Sequence, residues 1–140
     1  MRSARSYVGG EFLPRSLEDF LAIMSAGDQH TAYVLQVYGY WDMVAAFVVH
    51  GALDESLIFD TCQEMYFQFE KIQPYLAGFR QKMNLPEFLK SMEAVVAGAQ
   101  ERQTRAAAKA KSPKAVKANK QGTEPEDAAL TDAEPSVGGR

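Results

Sequence analysis

The apolar residues of this chain fall at helical spacing almost throughout, and no stretch alternates apolar and polar positions for long enough to make a strand. Leu17, Phe20, Leu21 and Met24 recur at i, i+3, i+4 and i+7, which predicts a helix from about Leu17 to Ala26. Ser16 stands before it as an N-cap, Asp19 completes a capping-box spacing, and Gly27 stops it. A second helix is predicted from about Thr31 to His50, capped by Asp28 or Thr31 and closed by Gly51. Val34, Leu35, Val37, Tyr38, Trp41, Val44, Phe47 and Val48 occupy most of its circumference, as in a central helix covered on several sides. Gly39 in its middle costs about 1 kcal/mol relative to Ala and is expected to admit a neighbouring backbone.

A third helix is predicted from Asp54, its cap, to about Gln73. Ile58, Cys62, Met65, Phe69 and Ile72 form a heptad-like seam along it, suited to packing on the second helix. Pro74 either kinks this helix or opens a fourth, with Tyr75, Leu76 and Phe79 inward. A fifth begins near Pro86 and turns Phe88, Leu89, Met92, Val95 and Val96 to the core. Residues 1–15 read as an irregular segment, broken by Gly9-Gly10 and Pro14, with Phe12 and Leu13 packing down. The expected fold is all-α: a small antiparallel bundle of four to five helices over residues 16–99.

Composition sharpens the far boundary. All fifteen aromatic residues lie between Tyr7 and Phe88. Residues 100–140 are rich in Lys and Ala and then acidic, and are expected to be mostly disordered. The Ala-rich stretch to about Ala110 has the propensity to prolong the last helix, so disorder is expected past Pro113. The net charge of −3 hides −5 over residues 1–99, +6 over residues 100–122 and −4 over residues 123–140. One cysteine, Cys62, excludes an internal disulfide and fits a reducing, cytoplasmic setting. The nearest approach to a membrane span is Tyr33 to Val49, about 25 Å as a helix. It is short for a bilayer and contains Gln36 and Asp42, so no span is expected.

Candidate chemistry is sparse. His30 and His50 are not at ligand spacing, and His50 suits the negative end of a helix dipole. Asp60 and Glu64 stand one turn apart, the spacing of a paired-carboxylate site or of a solvated face. Cys62 lies on the apolar seam, away from the exposure a nucleophile needs. Asp42 follows Trp41 in the most apolar helix and must reach water or a partner. A buried ion pair with Arg80 is one expectation, and a single solvent-facing strip is the other. Tyr38, Tyr40, Trp41, Tyr66, Phe67 and Phe69 exceed what one inner face can hold, so Tyr40, Tyr66 or Phe67 is expected at the surface as a candidate interface residue. Lys109, Lys111, Lys114, Lys117 and Lys120 are candidate phosphate contacts without aromatic partners for stacking. No catalytic, cofactor-binding or metal motif is present in the sequence.

The stretch from Tyr40 to Glu55, with its Gly51-to-Asp54 turn, followed by Pro74 and Arg80, resembles an uncharacterised bacterial helical family, the domain-of-unknown-function family numbered 4760. The likeness runs over roughly residues 12–96. It implies this helix order, an acidic residue in the second helix and a bacterial origin, and it carries no activity. The expected role is a non-enzymatic module for protein–protein contact or self-association, without cofactors. The alternatives are nucleic-acid binding through the basic tail and, behind it, a small enzyme or metal protein using Asp42, Asp60, Glu64 and His50.

Overall fold

The computed structural model describes residues 1–111. Within them lie six helices and no strand: α1 Arg2–Gly10, α2 Leu17–Ser25, α3 Gln29–Val49, α4 Glu55–Thr61, α5 Gln63–Met83 and α6 Lys90–Lys111. The expected disorder past Pro113 falls outside the described residues. The Ala-rich stretch does prolong the last helix, to Lys111.

Three helix starts follow the local cap chemistry read from the sequence. Ser16 Oγ accepts from the Asp19 N–H at 3.0 Å, Asp28 Oδ1 from the Thr31 N–H at 3.0 Å, and Asp54 Oδ1 from the Leu57 N–H at 3.0 Å. The capping box is displaced by one residue, because Asp19 Oδ2 accepts from the Arg15 N–H at 3.0 Å and not from that of Ser16.

α3 is the central element. α1 and α6 pack along it, α2 crosses against both α3 and α5, and α5 also meets α4 and α6. Phe12, Phe20, Tyr38, Phe69, Phe79, Met65, Ile72, Leu76 and Met92 are fully buried between them. Phe12 touches Phe20 and Tyr38 in edge-to-face geometry at 6.1 and 6.0 Å, and Phe20 continues the contact to Phe79 at 4.8 Å. One buried polar link crosses this core: the Tyr38 hydroxyl donates to the Gln68 carbonyl at 2.8 Å.

Two elements depart from the sequence expectation. Residues 2–10 form a helix, although Gly9-Gly10 argued for irregular chain. Its buried residues are only Ala4 and Val8, too small to raise a clear apolar pattern. Lys71 holds its end, donating through Nζ to the carbonyls of Val8 and Gly9 at 2.7 and 3.2 Å, and burial lowers the pKa of that ammonium. The second departure is the third predicted helix. It breaks at Cys62 (φ −118°, ψ 46°), not at Pro74. Thr61 Oγ1 donates back to the Leu57 carbonyl at 2.6 Å, a bond that bends helices. Pro74 sits inside α5 on its exposed side, where water can serve the carbonyl that loses its N–H partner. The Ile58–Ile72 seam nevertheless stays largely inward across the break, with Cys62 half-buried.

Phe12 joins the irregular link after α1 to α2 and α3, so Phe12→Ala should cost about 3–5 kcal/mol, read as a lower urea midpoint. The Thr31 N–H holds the Asp28 carboxyl below its ordinary range, and the Ser56 hydroxyl with the Leu57 N–H does the same for Asp54. Folded pKa values below the unfolded value of about 3.9 mean stability that is complete above that pH. It is lost as the pH falls through the lower folded values. The urea midpoint should therefore drop on acidification below about pH 4. Asp28→Asn, which keeps the cap acceptor without the charge, should make that drop shallower.

Candidate functional site

The start of α6 is organised from a distance. The chain leaves α5 through Asn84 in the left-handed region (φ 53°) and enters α6 through Leu89, also left-handed (φ 56°) and buried. A left-handed leucine costs on the order of 1–2 kcal/mol, so other contacts must hold it. No Ser, Thr, Asp or Asn stands in the cap position before Lys90. Instead Asp42 Oδ1, at mid-α3, accepts from the Met92 N–H at 2.9 Å. It is an N-cap supplied by another helix, fifty positions away in the chain.

Arg80 grips the same turn from the other side. Its Nε donates to the Phe88 carbonyl at 2.8 Å, and its Nη1 pairs with Glu93 Oε2 at 2.9 Å. Asp42 and Arg80 therefore do not form the ion pair expected from the sequence. Both are bound to residues 88–93, Asp42 through a backbone N–H and Arg80 through a carbonyl and a carboxylate. The expected pair rested on the chain after Pro74 returning past α3, but an orphan helix N–H is an equally good partner for a carboxylate.

The three candidate interface aromatics separate. Tyr40 is 42% exposed and Phe67 is 58% exposed, whereas Tyr66 is buried. Tyr66 packs edge-to-face on Phe59 at 5.4 Å, and burial raises the pKa of its hydroxyl. Phe67 stands in an open groove of about 890 Å³ between α1 and α5, with the Lys71 ammonium 5.1 Å from its ring centroid. Arg5 reaches across this groove to Glu64, with Nε donating to Oε1 at 3.1 Å. Gln68 also lines the groove, and its buried Oε1 has no hydrogen-bond partner.

Tyr40 belongs to a larger surface. The side of α3 between α1 and α6 remains open to solvent and carries Ala32, Leu35, Gln36, Gly39, Tyr40, Met43 and Phe47. Leu35, Met43 and Phe47 are 48%, 49% and 47% exposed. No charged side chain stands on this side over a helix about 30 Å long, since Asp42, the one carboxylate of α3, turns toward α6. A Cβ built on Gly39 would meet nothing within 4 Å, so the neighbouring backbone expected there is absent from this chain's own described residues. The apolar pattern of α3 implied cover on several sides, and one side is left uncovered by the described residues. The signal was present in an apolar pattern that ran all round without charge, but an all-round pattern cannot say which side lacks a cover.

The remaining candidates stay apart. Asp60 is exposed at the end of α4, while Glu64 is bound to Arg5 on the far side of the Cys62 break. His50 is the exposed C-cap of α3, and His30 stacks on Tyr7 at 4.3 Å. Among the described residues no three His, Cys, Asp or Glu side chains converge as metal ligands. Lys109 and Lys111 are exposed on α6, and a two-residue step places them on opposite sides of the helix. Lys114, Lys117 and Lys120 lie outside the described residues.

Asp42→Ala should lower stability by about 1–2 kcal/mol and speed amide exchange in the first turn of α6. Asp42→Asn should keep most of the stability, because an amide oxygen still accepts from Met92. An ion pair would instead make Asn nearly as damaging as Ala, so the two variants side by side in urea decide between the arrangements.

No curated protein and no solved structure matches the chain. The profile of the family described as Domain of unknown function (DUF4760) matches residues 1–99, a span that takes in α1 as well as the helices that follow it. The matched span ends where the core side of α6 ends, at the buried Ala99, and covers well over half of the sequence. The chain belongs to the DUF4760 family.

Proposed function

We propose that this domain is a non-enzymatic helical module that acts by protein–protein contact, through the open side of α3. One observation carries the reading: a long and largely apolar helix face, with no charged side chain of its own, left exposed among the described residues. Single exposed apolar residues are ordinary on protein surfaces, but a contiguous uncharged strip is the mark of an interface. Tyr40 and Met43 are residue types enriched at such surfaces.

α3 is also long and apolar enough to cross a membrane by length and composition alone. Its place in the bundle favours the protein-contact reading. Val34, Val37, Tyr38, Trp41 and Ala45 are buried against its neighbours, and Asp42 is committed to capping α6. Insertion would strip α6 of its cap and leave that carboxylate in hydrocarbon.

Photo-crosslinking in cells tests the reading. A photoreactive phenylalanine analogue at Met43 should give a discrete protein adduct, and the same group at the exposed Gln73 of α5 should not. Equal labelling at both positions, or no adduct at Met43, would overturn it.

A further inference from the structure

We infer that the groove between α1 and α5 is a binding site for an acylated amino-acid carboxylate: an anion, an amide N–H beside it and an apolar side chain. A peptide C-terminus and a free N-acyl amino acid share that chemistry. The site is separate from the open side of α3 and stands without the reading given to that side.

Two helices build it. Arg2, Arg5, Ser6 and Gly9, at i, i+3, i+4 and i+7, form one wall. Arg5 meets Glu64, and the Val8 and Gly9 carbonyls meet Lys71, so α1 runs in the same sense as the start of α5. Glu64, Gln68 and Lys71 therefore share the stripe of α5 that faces α1, and Phe67 stands beside that stripe. At about 890 Å³ the groove has the size of a small-molecule site.

Gln68 supplies the observation that points to a ligand. It is 2% exposed, and its Oε1 has no hydrogen-bond partner among the described residues. A buried acceptor left without a donor is a cost that folds rarely carry. The Tyr38 hydroxyl binds the main-chain carbonyl of Gln68 and does nothing for the side chain. The terminal torsion of a glutamine is soft, so the amide turns readily to a donor that enters the groove. The chemistry that completes it is an N–H.

The guanidinium groups set the charge. Arg5 holds Glu64 through Nε and Nη2, which leaves its Nη1 uncommitted. Arg2 pairs with no carboxylate among the described residues. One turn apart on the same wall, the two suit a carboxylate held between them. Glu64 is neutralised by Arg5, and Glu70 stands about two turns along α5 from Gln63, toward the Lys71 end.

Phe67 gives the apolar contact. Its ring is more than half exposed in the groove, with the Lys71 ammonium 5.1 Å from its centroid. A flat base is best held between two apolar planes and finds one exposed ring here, because Tyr66 is buried against Phe59. A single side chain needs only one.

Amide-resolved NMR of the full chain titrated with N-acetyl-L-phenylalanine should show saturable shifts in α1 and in the first half of α5, half-complete by about 5 mM. N-acetyl-L-phenylalaninamide lacks the charge and hydrocinnamate lacks the N–H, and each should bind roughly tenfold more weakly or worse. Gln68→Met should keep or raise the melting temperature, since it removes an orphaned acceptor. It should also bring N-acetyl-L-phenylalanine down to the affinity of hydrocinnamate. Arg2→Ala, at an exposed position, should narrow the gap between the acid and its amide. An N-acetylated pentapeptide ending in phenylalanine that binds roughly tenfold tighter than the acid supports the site with a protein C-terminus as its source. Equal binding supports it with the free acid as its source. No saturable shift in α1 and α5 up to about 20 mM overturns the inference. So does binding that either variant leaves unchanged, or a lower melting temperature for Gln68→Met, which would mark its amide as paired within the domain.

Discussion

The hydrogen bond from the Met92 N–H to Asp42 is the constraint on which the last third of the bundle depends. α6 has no local cap and enters through a left-handed leucine, a start that is unfavourable on local terms. Asp42 satisfies one of its orphan N–H groups and places a negative charge at the positive end of the helix. With that end fixed on mid-α3, the rotation of α6 follows, and Met92, Val95, Val96 and Ala99 turn inward. Arg80 secures the approach by holding the Phe88 carbonyl and Glu93. At the far end Arg102 pairs with Glu55 at 2.6 Å, so the helix is held near both limits of its packed length.

How much of this was legible follows from where each interaction lies along the chain. The starts of α2, α3 and α4 depend on contacts between residues three apart, and Ser16, Asp28 and Asp54 announced them. The start of α6 depends on a residue fifty positions away, and no local pattern encodes it. α1 escaped for a different reason. Its stability comes from Lys71 and from two small buried residues, and Gly9-Gly10 outweighed them in a local reading. At Cys62 and Pro74 the stronger breaker by propensity was not the one that acted. Proline was placed toward water, while a threonine back-bond bent the chain about three turns before it.

The exposed apolar surface was half legible. An excess of aromatics pointed to Tyr40, Tyr66 or Phe67 at the surface; Tyr40 and Phe67 are exposed, and Tyr66 is buried because the flank of α5 that bears it is covered beside Phe59. The strip itself consists chiefly of aliphatic and small residues, which a search for aromatics passes over. α3 differs between its two sides. One side packs the core and caps α6, and the other is free of charge and of intramolecular neighbours at its midpoint. The capping role removes the single carboxylate of α3 from the open side, so the two sides are linked through Asp42.

That linkage bears on how the sequence can drift. Asp42 binds a main-chain N–H, which every residue except proline supplies. Position 92 can therefore change side chain, within the limits of its packing, without disturbing the bond, while position 42 must keep a short side-chain acceptor. Correlated substitution between the two positions has nothing to act on. The contact that sets the register of α6 would be silent in any comparison of residue pairs, and would surface only as an acidic or amide residue in a helix where hydropathy alone gives it no place.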